Sequence, residues 1–216
     1  MHIDASVADR IPTRKILGSC GGTLIDPFRK REVYYESLLE RDHLARLIAS
    51  FAVKEIREQQ LVCFRRNGRI CRHHIDYVAT HHDGRRVAYF VKNKQHAETT
   101  NLRQLIKEIV AGCDTWIADE FAIITENHLD QATVANSLKV IGCGRDFDAE
   151  AIADVRDLLR VSCSTVTPRE VERRLALGDR ASRALIALLQ SGDVRFKFGS
   201  ALIDMDTPFD NRLSSR

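Results

Sequence analysis

"HHIDYVATHHDGRRVAYFVKNK", residues 73–94, alternates apolar and polar positions on either side of Asp83-Gly84, which reads as two β-strands joined by a tight turn. One strand carries an acid, Asp76, and its partner a lysine, Lys92, among residues that otherwise belong in a core. A tight turn at Asp83-Gly84 sets Asp76 opposite residues 91 and 92, within reach of the Lys92 ammonium. Period-two alternation puts Asp76 with Val78 on one face, and Phe90 with Lys92 and Lys94 on one face of the partner. Such an acid and base can simply pair, and on an exposed sheet that contributes under about 1 kcal/mol.

Working outward, "YYESLLERDHLARLIASF" from Tyr34 places Leu38, Leu39, Leu44, Leu47, Ile48 and Phe51 at helical spacing, an amphipathic helix. Glu36 and Glu40 lie four apart on its face. After "KEIREQ" comes a strand over residues 61–64, then a hairpin turn at Asn67-Gly68. Thr99, Thr100 or Asn101 caps a helix over "LRQLIKEIVAGC", "EFAIIT" is a buried strand and "DQATVANSLKVIG" a short helix. This order of elements is that of an α/β mixed sheet flanked by helices.

A second unit begins near Arg145. "DFDAEAIADVRDLLRV" is helical, and "TPREVERRLALG" has Thr167 as N-cap, Pro168 at the first helical position, Glu170 completing a capping box and Gly178 at its end. "DRASRALIALLQSG" is a third helix, and "VRFKFGSALIDM" reads as a β-hairpin around Gly199-Ser200. Helices followed by a hairpin make a winged-helix-like pattern. The chain thus divides into an extended arm (1–32), an α/β domain (33–144) and a small C-terminal domain (145–216).

The 216 residues, 44% hydrophobic and 29% charged, suffice for a buried core. No apolar run is long enough to cross a membrane, and the N-terminus lacks a signal-type stretch, so a cytoplasmic location is expected. Six cysteines (20, 63, 71, 113, 143 and 163) show no zinc-like rhythm and are expected as reduced thiols, mostly core-filling. The doublets His73-His74 and His81-His82 read as solvated strand ends, and Trp116 as a core anchor. A net charge of +3 is too small to announce nucleic-acid binding. Arg29-Lys30-Arg31 is a dense basic cluster; Arg103, Lys107 and His96 are further candidates for a phosphate backbone, as are Arg180 and Arg183.

Chemistry needs a third group beside Asp76 and Lys92, and the first helix offers a carboxylate. Two acids lining one pocket suit Mg²⁺, and a neighbouring lysine can orient water or stabilise charge growing on a phosphate. "ESLLERD…EIREQ…HIDYV…DG…AYFVK", over residues 33–127, resembles the TnsA endonucleases of heteromeric DNA transposons. The resemblance implies a restriction-endonuclease-like core whose site joins a helical Glu, a strand Asp and a Q/E-x-K tail. Counting back from "IREQ" gives Glu40 rather than Glu36 as the helical acid. "HID" gives Asp76 and "FVK" gives Lys92. Phe90 departs from the family's Gln or Glu and cannot ligate a metal, leaving the Val91 carbonyl as a backbone ligand beside Glu40 and Asp76. The resemblance further implies Mg²⁺, with Mn²⁺ as a substitute, and nicking at the 5′ ends of a transposon. The implied partners are double-stranded DNA, an integrase-type transposase subunit and an AAA+ regulator. A catalytically inactive adaptor of the same fold is the alternative that Phe90 raises.

Overall fold

The computed structural model describes residues 2–11, 20–162, 164–196 and 201–213. Two compact units divide the chain, one made of Met1–Leu47 and Ala52–Leu129, the other of Ile48–Phe51 and Asp130–Arg216.

In the first unit, β1 (Gly22–Asp26) and β2 (Arg31–Tyr35) form an antiparallel hairpin, so the expected loose arm is ordered there. Its turn is built by Asp26, whose carboxylate accepts the amides of Phe28 and Arg29, both at 3.0 Å, and pairs with the Arg29 guanidinium at 2.6 Å. Arg31 turns inward too, onto the fully buried Glu58 carboxylate. The basic cluster at residues 29–31 therefore spends two of its three cations inside the fold.

Helix α1 (Leu38–Ala49) starts four residues later than its apolar spacing suggested, because Tyr34 and Tyr35 complete β2. Then come β3 (Val53–Arg66), β4 (Arg69–His81), β5 (Arg86–Val91), α2 (Lys94–Thr99), α3 (Leu102–Gly112) and β6 (Glu120–Ile124). They build a mixed sheet in the order β3-β4-β5-β6, antiparallel except for the parallel pair β5–β6. "KEIREQQ" belongs to β3, where a shorter strand was expected. Its charged residues enter a strand because Glu58 and Gln59 find buried polar partners.

β3 and β4 form a long ribbon turning at Asn67 and Gly68, both with positive φ (50° and 75°), as a two-residue hairpin of type I′ requires. The ladder keeps its register from Glu55–Thr80 to Arg66–Arg69 except at left-handed Gln59 (φ 48°), where the rung to Asp76 is missing. β5 pairs with β4 only between residues 77 and 80 of β4, so the ribbon beyond is two-stranded. Its inner side, Val62 and Phe64, joins Ile75, Val78, Ala88, Phe90, Leu102 and Ile109 in one apolar cluster.

The second unit contains α4 (Gln131–Arg145), α5 (Ala149–Arg160), β7 (Thr165–Val166), α6 (Pro168–Leu175), α7 (Asp179–Ala187), β8 (Val194–Arg195) and β9 (Phe209–Asn211). Helix α7 packs against α4, α5 and α6, with Val140, Val155, Leu159, Val171 and Leu185 fully buried. The division falls before α4 rather than at Arg145, since α4 packs on α7. The Thr167–Pro168–Glu170 start of α6 forms the capping box that its sequence encodes. Gly178 is the N-cap of α7; α6 ends at Ala176 in the left-handed region. The turn expected at Gly199-Ser200 lies outside the described residues. β8 pairs with β9, much further along than the expected hairpin partner, and the small antiparallel sheet runs β7-β9-β8.

Candidate active site

Glu40 is the third residue of α1, and the helix start fixes it. Ser37 precedes the first turn, its carbonyl taking the amide of Arg41 at 2.9 Å and its hydroxyl the amide of Glu40 at 3.2 Å. The Glu40 carboxylate reaches back in turn, Oε2 accepting the Glu36 amide at 2.7 Å and Oε1 the Ser37 hydroxyl at 3.3 Å. This is a capping box displaced by one residue. It holds Glu40 almost fully buried, at 2% exposure.

Asp76 lies on β4 at 4% exposure. Its Oδ2 accepts the Val91 amide at 2.7 Å, and the Lys92 Nζ stands 3.2 Å from Oδ1 and 3.3 Å from Oδ2. The same ammonium is 3.7 Å from Glu40 Oε1. Three side chains from a helix start, a central strand and the residue just past β5 thus meet at one point. The sequence-derived trio of Glu40, Asp76 and Lys92 is brought together, and Val91 joins it through its N–H. The Lys92 side chain alone opens to solvent, at 33% exposure.

Electrostatics follow from this crowding. Burial, reinforced by the Asp76 charge, raises Glu40 to about 7. Burial also raises Asp76, against the pull of Lys92 and the Val91 amide. Burial would lower Lys92, but Asp76 and Glu40 together outweigh it and keep the ammonium charged. Two buried carboxylates facing one ammonium carry a surplus negative charge, which near neutrality is relieved by a proton on Glu40.

Glu36 is not on the helix. It lies in the bend before α1, and its carboxylate pairs with Arg10 at 2.7 Å. Arg10 also donates twice to Gln59 Oε1, at 3.0 and 2.8 Å, and its charge is felt at Asp76. Sequence reading missed Arg10 and Gln59. Neither sits in a motif, and the two are 49 residues apart. Phe90 packs in the apolar cluster, 1% exposed and stacked on His73 at 5.6 Å. His73 is consequently no solvated strand end; burial, then Lys92, pushes it down to about 4. His43, one turn past Glu40, is driven by burial to about 3 and lies against Tyr89, so its ring is uncharged near neutrality.

Beyond Lys92, a cleft of about 790 Å³ is lined by Lys94, Arg103, Lys107 and His128 beside Ile106 and Phe121. Trp116, expected in the core, is exposed under the Arg86 guanidinium at 4.9 Å from its ring centre, a cation–π contact that needs no burial. Arg180 and Arg183 are taken up by Asp148 and Asp146, respectively. The described cysteines are free thiols, and Cys163 lies outside the described residues. No helix among them is long and apolar enough to cross a membrane.

For a metal, the donor set supplies two carboxylates, an uncompensated charge and a basic neighbour. No group of three or more His, Cys, Asp or Glu side chains placed to hold a metal ion occurs among the described residues, so any ion here relies on backbone or water oxygen. No protein-family model matches the chain, and no curated protein matches it.

Proposed function

We propose that the chain is a metal-dependent DNA endonuclease subunit, with Glu40, Asp76 and Lys92 as its working residues. The observation that carries this reading is the meeting of those three side chains from separate elements at one point, two carboxylates against one ammonium. Glu40 and Asp76, with the Val91 carbonyl, would hold Mg²⁺ or Mn²⁺. Bound there, such an ion supplies Lewis acidity toward a phosphodiester and acidifies water. Glu40, raised to about 7, would hold such an ion as the carboxylate, so its affinity for the ion would rise with pH. Lys92, solvent-facing and charged, orients the attacking water and stabilises the negative charge that grows on the phosphate. Asp76 stays fixed by the Val91 amide through these changes, which keeps the pocket's geometry constant.

A mixed sheet flanked by helices supports a restriction-endonuclease-like core. In the second unit the order α5-β7-α6-α7-β8-β9, with β9 central in its sheet, supports a winged-helix-like domain. The basic lining of the cleft at Lys94, Arg103 and Lys107 suits a DNA backbone. Work on transposon 5′ ends, beside an integrase-type transposase and an AAA+ regulator, rests on the TnsA resemblance. The adaptor alternative draws on two observations: Phe90 is committed to the core, and Glu40 already serves its own helix.

Calorimetric titration with Mn²⁺ separates the two readings. The endonuclease reading expects saturable heat that Asp76→Ala abolishes while the circular dichroism spectrum is unchanged. Absence of heat favours the adaptor. Nicking by the assembled complex that survives both Asp76→Ala and Lys92→Ala ends the endonuclease reading.

A further inference from the structure

We infer that the outer face and tip of the β3–β4 ribbon are a duplex-DNA grip, seating the ribbon in the major groove beside the cleavage pocket. Between Glu58 and Asp76 the sequence holds four arginines and two histidines and no acid. Register sorts them. The rungs Leu61–His74, Cys63–Arg72 and Arg65–Ile70 face away from the inward Val62 and Phe64, so Arg65, Arg72 and His74 share the outer face; Arg66–Arg69 closes the tip in the inward register, with Arg69 exposed past the end of the apolar cluster. Arg65, Arg66, Arg69 and Arg72 are all exposed. Arg66 is held by Glu108 at 3.0 Å and Arg65 is loosely near Asp114 at 3.9 Å. Arg69 and Arg72 have no ion-pair partner among the described residues.

Shape and rigidity select the occupant. A two-stranded ribbon fits the major groove of B-form DNA, while the deep, narrow major groove of A-form RNA excludes it. The ribbon is stiff because its inner side is packed on α3, where the backbone of Arg65 passes so close to Gly112 that a Cβ there would stand 2.4 Å from the Arg65 carbonyl oxygen. Arg69 lies seven residues from Asp76, ~24 Å along an extended strand, or roughly seven base pairs of B-DNA. One continuous strand thus joins a phosphate-binding tip to the acid of the pocket. The inference deepens the endonuclease reading but stands on different side chains.

The test is fluorescence anisotropy of the full chain with a labelled 30-base-pair DNA duplex in EDTA over a salt series. The wild type should bind, and Arg69→Ala/Arg72→Ala should weaken binding ten-fold or more. The salt slope should fall by about 2, one unit for each lost phosphate contact. An RNA duplex of equal length should bind at least ten-fold more weakly than DNA. Both arginines are exposed, so the thermal midpoint of the double variant should match the wild type. Unchanged affinity in the double variant, absence of wild-type binding, equal affinity for the RNA duplex, or binding of poly-glutamate in place of DNA would each overturn the inference. Mn²⁺ calorimetry on the same double variant should be unaffected, so a failure of the metal reading and a failure of the ribbon reading register in different assays.

Discussion

Glu40 holds its proton because the fold denies its charge water and sets Asp76 beside it. A carboxyl whose folded pKa lies above its usual 4.5 contributes fully below that value, and the contribution is lost as pH climbs to about 7. Glu40→Gln removes the titration. In EDTA the variant should therefore be more stable than wild type at pH 8 by about 1–3 kcal/mol, and the gap should close toward pH 5. Urea midpoints at the two pH values measure it; equal gaps would contradict the burial argument. Phe90 gives the opposite test. Restoring the Gln of the resembled family would put an amide into an apolar cluster, so Phe90→Gln should cost roughly 2–4 kcal/mol in urea denaturation without creating Mn²⁺ affinity. Asp76 and Lys92 were legible because a hairpin makes neighbours locally, although the ladder from Thr80–Arg86 to Tyr77–Tyr89 runs on toward Phe90 opposite Asp76, short of the expected residues 91 and 92. Glu40 was reached by resemblance, although Ser37 and Glu40 themselves spell a capping-box signature. Arg10 was not legible, since only the folded chain brings it to Gln59 and Glu36.

Elements were easiest to read where a local rule governs them. The hairpin turn at Asn67-Gly68 and the capped start of α6 follow from such rules, while the turn at Asp83-Gly84 is one residue wider than expected, the His81 amide donating to the Arg85 carbonyl. β3 was under-read because alternation of apolar and polar residues is a poor guide where buried Glu58 and Gln59 are paid for by distant arginines. The ribbon's basic face was under-read for a related reason. Charges spaced along two strands never form the contiguous run that Arg29-Lys30-Arg31 does, yet register sets Arg65 and Arg72 on one surface and brings Arg66 and Arg69 together at the tip. Helix α3 anchors this ribbon through the close approach of Gly112 to Arg65. Gly112→Ala should thus destabilise the chain by about 1–3 kcal/mol and raise hydrogen exchange at the amides of residues 62–65. An unchanged exchange pattern would mean that the ribbon is held by its own ladder alone.

Across the whole molecule, segments far apart in sequence close the first unit. The N-terminal residues run alongside β3. Asp9 accepts the Leu61 amide at 2.7 Å and pairs with Arg57 at 2.9 Å, while Ser6 donates to Glu58. No periodicity announces such a strap, which explains why residues 1–32 read as a loose arm. Asp9→Ala should speed exchange of the Leu61 amide by ten-fold or more with little change at Val87 in the sheet interior. Uniform acceleration at both sites would instead indicate global loosening. The division before α4 was equally hidden, because it depends on what α4 packs against and not on its composition.

The absent rung between Gln59 and Asp76 has a mechanical meaning. A hairpin yields first where its cross-links are fewest, and this one is thinnest beside the carboxylate of the pocket. Torque applied at the arginine tip would therefore be taken up at that joint first, next to a carboxylate that the Val91 amide anchors from the other strand.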